Sequence, residues 1–187
     1  MDLIDELLDD AKGRMAKSVE STRGELATVR TGRASPHLLD RISVDYYGSQ
    51  TPLKQLATIS APEARMLTVQ PYDKSSIKAI ERSIMESDLG LTPNNDGSII
   101  RLVLPELTEE RRKQLVKVVR GLTEEGKVAL RNIRRDVMHD LKELRESGEA
   151  GADDEHRAEE ALQKLTDDKV KELDALLKGK EAEILEV

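Results

Sequence analysis

The fold is organised by residues 108–144, which read TEERRKQLVKVVRGLTEEGKVALRNIRRDVMHDLKEL. Thr108 followed by Glu109 and Glu110 is typical of a helix start. At about 1.5 Å per residue, a single helix over this stretch is on the order of 55 Å long. Apolar side chains recur there with the helical period and predict a buried face, made of Leu115, Val119, Leu122, Ala129, Ile133, Val137 and Leu144. Gly121 and Gly126 lie inside this helix, where each glycine costs roughly 1 kcal/mol relative to alanine. Close packing against a neighbouring helix would explain why glycine is present there.

The opposite face of this predicted helix is strongly basic. Between positions 111 and 135 nine Lys and Arg residues stand against Glu124 and Glu125, a net charge of +7 in a chain whose total is −7. Such residues often form only the solvated side of a helix, but this excess favours an anionic partner. Both interpretations stay open from the residues alone. Of the nine, all except Arg111 are candidate contacts for such a partner: Arg112, Lys113, Lys117, Arg120, Lys127, Arg131, Arg134 and Arg135.

The composition excludes several classes of protein. Cysteine is absent, so disulfides and thiolate metal sites are excluded. Three tyrosines are the only aromatic residues, so base stacking is not expected to be the main mode of nucleic-acid binding. No apolar run approaches the roughly 18 residues of a membrane span, and the acidic start is unlike a signal peptide. We expect a cytoplasmic protein without a membrane partner.

Two other segments share the helical period. In residues 1–30 apolar positions recur from Ile4 to Val29, and Asp2 is suited to cap the helix. A third helix is predicted after the polar turn at 147–155, with an apolar side of alanine and leucine. Each apolar stripe needs partners to be buried, so the three helices predict an antiparallel bundle.

Residues 31–104 have a different pattern, and they predict a small β/α/β domain. A hairpin signal at 47–50 follows alternating residues, and further short strands are expected at 56–59, 66–69 and 98–104. Asp73 is placed to cap a short helix between them. The fold class is therefore α+β, with a discontinuous bundle of 1–30 and 105–187 and an inserted domain of 31–104.

The two chain crossings between these domains carry residues that interrupt regular structure. Gly32 permits unusual backbone angles, and Pro36 restricts the residue before it. Pro105 closes the inserted domain. A junction of two chain segments allows a hinge, so we assign Gly32, Arg33, Pro36 and Pro105 to a predicted hinge.

No enzyme site is visible in the sequence. The three histidines lie far apart, and neither a phosphate-binding glycine loop nor an HExxH pattern is present. We expect neither catalysis nor a cofactor or metal. The competing class is a structural or adaptor protein that binds partner helices through its apolar stripes, with weak dependence on salt.

Six motifs in order along the chain resemble the ribosome recycling factor family. They are RTGRASP at 30–36, VDYYG at 44–48, SDLGL at 87–91, LTEERR at 107–112, RNIRRD at 131–136 and QKLTD at 163–167. Each is weak alone, but together they cover the chain nearly end to end.

The resemblance implies a three-helix bundle and an inserted domain that form an L with the outline of transfer RNA. It implies a factor that binds the post-termination ribosome and, with elongation factor G and GTP hydrolysis by that partner, splits it into subunits and releases mRNA and tRNA. Arg30 and the basic helix face through Arg131, Arg134 and Arg135 would contact large-subunit ribosomal RNA. The inserted domain and hinge would meet elongation factor G and move. We expect the factor to be a monomer.

Overall fold

The structure is a computed structural model that describes residues 2–186. Its mixture of long helices and small sheets confirms the α+β class. The helices are α1 (Leu3–Ala27), α2 (Leu53–Leu56), α3 (Ile77–Glu86), α4 (Glu109–Glu146) and α5 (Ala152–Glu186). The strands are β1 (Ser43–Tyr46), β2 (Ser49–Pro52), β3 (Ala57–Glu63), β4 (Met66–Pro71), β5 (Pro93–Asn95) and β6 (Ile100–Val103).

The chain divides into two compact units. The first comprises the chain up to Leu26 and Gln114–Ala182, and the second comprises Ala27–Lys113 and the chain from Glu183. The unit boundaries lie at 26/27, 113/114 and 182/183, and the last two fall well inside α4 and α5.

The first unit is an antiparallel helix bundle. On α1, Asp2 Oδ1 accepts a hydrogen bond from Asp5 N at 2.8 Å and caps the helix. The predicted α1 stripe is buried at Ala11, Met15, Val19, Thr22 and Leu26. Contacts between the helices fix their directions. As positions increase along α4, the α5 residues that pair with them decrease in number; these pairs are Arg120–Glu181, Lys127–Asp174 and Arg145–Glu155. Helix α1 follows the same rule, since Asp136 pairs with Arg14 and Gly126 faces Thr22.

Helix α4 continues through both of its glycines. A Cβ built on Gly121 meets no atom within 4 Å, whereas one built on Gly126 lies 2.5 Å from Thr22 Oγ1 and 3.2 Å from Leu173 Cδ1. Gly126 therefore allows α1 and α5 to approach α4 closely. The buried face is correspondingly rotated from the predicted one, since Leu122, Ala129 and Leu144 are only half-buried; its residues are Leu115, Val119, Thr123, Gly126, Leu130, Ile133, Val137 and Leu141.

The second unit contains two antiparallel sheets, β1–β2 and the four-stranded order β3-β4-β6-β5. Tyr47 and Gly48, at φ 51° and 82°, form the tight turn of the β1–β2 hairpin. Leu67, Val69, Ile100 and Leu102 share one buried core with the predicted apolar face of α3, Ile77, Ile80 and Ile84.

Three short elements of the second unit were not predicted. A 3₁₀ turn at Pro36–Leu39 and the single-turn α2 are too short to produce a periodic signal. The third is β5, because the Asn94-Asn95 pair has the composition of a turn. In the structure Asn94 pairs with Arg101 of β6, and the turn begins at Asp96, whose Oδ1 accepts the backbone N–H of Ser98.

None of the helices within residues 2–186 is both long and apolar enough to cross a membrane.

Candidate nucleic-acid interface

Most basic side chains of α4 are exposed, because the opposite face of the helix is buried in the bundle core. The helix begins at a proper cap, since Thr108 Oγ1 accepts the backbone N–H of Arg111 at 3.1 Å. Glu109 and Glu110 in the first turn complement the partial positive charge of the helix start. One continuous helix thus presents a long cationic edge.

Two of the predicted contacts of α4 are engaged by carboxylates of α5. The Nζ of Lys127 lies 2.6 Å from Asp174 Oδ1, and the Lys127 side chain is only 15% exposed. This hydrogen bond to Asp174 raises the pKa of Lys127 above its usual value, so the amine stays charged in the seam between the helices. Arg120 Nε lies 2.7 Å from Glu181 Oε1. Both cations therefore connect α4 to α5, and of the two only the Arg120 side chain is largely exposed.

A second group on α4 makes no ion pair within the described part of the chain. Lys117 and Arg131 are exposed and Arg134 is half-buried, while Arg135 donates a hydrogen bond to the Asn132 side chain one turn earlier. A shallow depression of ≈ 390 Å³ lies beside them, lined by Val128, Arg131, Asn132, Arg134, Arg135 and Met138. Arg131, Asn132, Arg134 and Arg135 form an arginine patch on α4. Guanidinium groups without carboxylate partners are suited to phosphate oxygens.

The remaining predicted cations lie in the second unit. Lys113 pairs with Glu109 one turn earlier at 3.4 Å. Arg112 Nε and Arg30 Nη1 are buried without a hydrogen-bond partner in the structure. Arg30 Nη1 lies beside Gly90, 3.9 Å from where a Cβ would be. The nine predicted residues are therefore divided between the two units, with six in the first and three in the second.

The first predicted hinge segment is held by the last turn of α5. Gly32 has φ 78°, a conformation that suits glycine. Thr31, which is buried, donates through Oγ1 to Glu183 Oε2 at 3.5 Å, and Arg33 pairs with Glu186 at 3.7 Å. These two glutamates were missed because acidic residues on a helix resemble an ordinary solvated face, and no local sequence signal marks them.

The predicted prolines lie where regular structure starts or stops. Pro36 occupies the first turn of the 3₁₀ helix, and the Ser35 side chain caps it by accepting a backbone N–H at 3.3 Å. Pro105 follows β6 and stands beside Glu106, which pairs with Arg65 at 3.0 Å.

The histidines have only local partners. Each exposed ring lies near a carboxylate three or four residues further on, as is typical of solvated helix faces; the pairs are His37–Asp40, His139–Glu143 and His156–Glu160. In the described range 2–186, no three His, Cys, Asp or Glu residues are grouped so that they could hold a metal ion.

Comparisons of the sequence and of the structure with known proteins both find members of one family. The family model "Ribosome recycling factor" matches residues 22–185. The ribosome-recycling factor of Rubrobacter xylanophilus is 56% identical over 186 residues, which cover 100% of this chain and 99% of the relative.

Two solved structures match over essentially the whole chain. A solution structure of the ribosome recycling factor superposes with a TM-score of 0.81 at 41% identity, covering 100% of both chains. A Thermus thermophilus ribosome recycling factor, described with Escherichia coli elongation factor G bound to the Escherichia coli post-termination complex, gives a TM-score of 0.71 at 46% identity, covering 99% of this chain and 100% of the other. Motifs, fold and near-complete coverage agree, and the chain belongs to the ribosome recycling factor family.

Proposed function

We propose that this chain binds post-termination ribosomes in the cytoplasm as a monomer and takes part in their separation into subunits. Elongation factor G is the proposed second partner and supplies GTP hydrolysis, so the chain itself acts without catalysis or a cofactor. Release of mRNA and tRNA follows from the separation. The observation that carries this proposal is the family membership together with a relative described on the post-termination complex with elongation factor G.

The proposed contact with the ribosome is electrostatic, and in it the basic face of α4 binds large-subunit ribosomal RNA. The proposed RNA-binding residues are Arg30, Arg112, Lys113, Lys117, Arg120, Lys127, Arg131, Arg134 and Arg135. Within this set, Lys117 and the arginine patch are expected to contribute most, because no carboxylate has to be displaced before a phosphate is bound. Lys127 and Arg120 are expected to contribute less, because Asp174 and Glu181 already neutralise them.

The proposed division of labour follows the domains predicted from the sequence, with the RNA contact on the predicted bundle domain (1–30 and 105–187) and the contact with elongation factor G on the predicted inserted domain (31–104). The proposed hinge consists of Gly32, Arg33, Pro36 and Pro105. Its support is the left-handed backbone at Gly32 and the interruption of regular structure at Pro36 and Pro105. A cross-link between the two domains is expected to leave ribosome binding intact and to abolish splitting; retained splitting would contradict the hinge.

Splitting of post-termination ribosomes tests the proposal directly. Ribosomes are incubated with this chain, matched elongation factor G and GTP, and the subunits are separated by sedimentation. Free subunits are expected only when all three are present. Intact ribosomes in the complete mixture, with both components shown to be active alongside another recycling factor, would contradict the proposal and favour an adaptor.

A further inference from the structure

Three leucines at one end of the bundle line an open groove instead of closing the core. Leu3 and Leu7 of α1 and Leu144 of α4 line a groove of ≈ 530 Å³ together with Ser147 and Glu149, which follow α4. Leu3 is 47% exposed, and Leu7 and Leu144 are half-buried. Leu144 belongs to the apolar face predicted for the long helix, so the helical period continues here beyond the part of that face that the bundle covers.

The walls of this groove are acidic as well as apolar. Glu6, Asp140, Glu143 and Glu149 line it together with the leucines. Glu143 lies 3.2 Å from the ring of His139 on its own helix, whereas the other three make no ion pair within the described part of the chain. Apolar side chains and unpaired carboxylates thus share one concave surface of the first unit.

The same end of the bundle carries a large excess of negative charge. Residues 2–10 contain five carboxylates and no basic side chain, and residues 140–155 contain seven carboxylates against Lys142 and Arg145. Both of these cations already pair with carboxylates of the same segment. A concave surface lined by one sign of charge attracts groups of the opposite sign, so the groove favours a cationic partner.

The combination of leucines and carboxylates selects one class of occupant. RNA is disfavoured, because its phosphates would approach a surface that carries twelve carboxylates. A neutral apolar peptide would remove carboxylates from water without compensating their charge. A peptide in which Lys or Arg flank an aliphatic side chain satisfies both parts of the groove, since the basic groups pair with the carboxylates and the aliphatic side chain displaces water from the leucines.

We propose that this groove docks a lysine- and arginine-rich segment of a ribosomal protein, which places an aliphatic side chain against Leu3, Leu7 and Leu144. The proposal rests on the proposed function in one respect, which is that the partner belongs to the ribosome. It adds a protein contact on the bundle, separate from the RNA contact on α4 and from elongation factor G. Because an acidic groove and a basic face cannot exchange partners, the two contacts together fix the orientation of the bundle.

Photo-cross-linking identifies the class of occupant. Benzoylphenylalanine is placed at position 3 in the groove or, as the control, at position 128 beside the arginine patch, where Val128 is 49% exposed and so matches Leu3. Each full-length labelled chain is bound to post-termination ribosomes and irradiated. We expect position 3 to form an adduct with a ribosomal protein, at a segment where Lys and Arg outnumber Asp and Glu, and position 128 to form one with RNA. An adduct of position 3 with RNA or with a second copy of this chain, or no adduct, would overturn the proposal.

Charge-neutralising substitutions measure what the carboxylates contribute. Glu6→Gln/Glu149→Gln removes two unpaired carboxylates of the groove, and Asp168→Asn/Glu86→Gln removes the same charge from exposed positions elsewhere. All four residues are exposed, so we expect both variants to melt within about 2 °C of the wild type. The groove variant should bind ribosomes about 3- to 10-fold more weakly than the control variant. If the groove faced RNA, the loss of two negative charges would strengthen binding instead, so an affinity equal to or above that of the control would overturn the proposal.

The outcomes separate this inference from the proposed function. If the wild type splits ribosomes but position 3 forms no adduct with a basic protein segment, only the docking groove is wrong. If the wild type neither binds nor splits ribosomes, the proposed function fails and the groove loses its proposed partner with it.

Discussion

Gly126 of α4 faces Thr22 of α1 so closely that a Cβ on the glycine would lie 2.5 Å from Thr22 Oγ1. Thr22 Cγ2 is 3.3 Å from the same point, so rotation of the threonine about χ1 does not clear the space. Leu173 of α5 closes it from the other side. The bundle is therefore packed around a position where only hydrogen fits.

Gly126→Ala should lower the stability of the bundle. The clash costs more than the roughly 1 kcal/mol of helix propensity gained, so we expect a net loss of about 1–2 kcal/mol and a melting temperature lower by roughly 3–6 °C. Gly121→Ala is the matched control, because its Cβ meets open space; it should stabilise the protein by up to about 1 kcal/mol. Equal stability of the two variants in thermal unfolding would contradict this packing.

Lys127→Ala should affect stability more than ribosome binding. It removes the 2.6 Å pair with Asp174 across the α4–α5 seam and the packing of a side chain that is mostly buried. We expect a loss of about 1 kcal/mol in urea unfolding, against less than about 0.5 kcal/mol for exposed Lys117→Ala. For ribosome affinity we expect the opposite, with a larger loss for Lys117→Ala than for Lys127→Ala. A larger loss of stability for Lys117→Ala than for Lys127→Ala would contradict the stabilising contact between Lys127 and Asp174.

Gly32→Ala should strain the first hinge segment. With φ at 78°, an alanine there is expected to cost about 1 kcal/mol or more. Gly13→Ala on α1 is the control, since its Cβ meets nothing within 4 Å and φ is helical; it should be neutral or stabilising. Calorimetry of both variants checks the difference. A Gly32→Ala variant as stable as the wild type would mean that the left-handed backbone is not required.

Asp96 should make the second unit sensitive to acid. Hydrogen bonds from the backbone N–H groups of Ile99 and Ser98 and from Arg101 hold its pKa far below the usual 3.8. A lowered folded-state pKa stabilises the protein above the unfolded-state value, and this contribution is lost as the pH falls through the folded-state value. The stability difference between the wild type and Asp96→Asn should therefore be largest at neutral pH and shrink below about pH 4. A difference that stays constant from pH 7 to pH 2.5 would contradict the assignment.

The long elements were predictable because each has a repeated signal. The stripe of α1, the Thr108 cap of α4 and the face of α3 all follow from local periodicity and capping chemistry. The inner face of α4 was predicted with an error in rotation, because Thr123 and Gly126 are buried by close helix approach. Helical period alone gives no reason to bury these residues.

The candidate interface was predictable from the excess of basic residues, but the sequence does not show which of these residues are free to bind phosphate. The sequence shows nine basic residues, yet Asp174 and Glu181, the partners of Lys127 and Arg120, lie 47 and 61 residues further along the chain. Only the folded bundle distinguishes the engaged Lys127 from the unpaired Arg131.

The salt dependence of ribosome binding tests the central claim most directly, namely that unpaired arginines of α4 anchor this factor to RNA phosphates. The wild type is compared with Arg131→Ala/Arg134→Ala and with the control Arg23→Ala/Arg157→Ala. The control residues are exposed arginines of α1 and α5 that pair with Glu20 and Asp154 at 3.1 and 2.8 Å.

We expect the wild type to lose affinity steeply as salt rises. The patch variant should bind more weakly at low salt, with a log–log slope flatter by about 2, since each lost phosphate contact removes roughly 1 from that slope. The control variant should follow the wild type. An unchanged affinity and slope for the patch variant, or an equal change in the control, would contradict the claim.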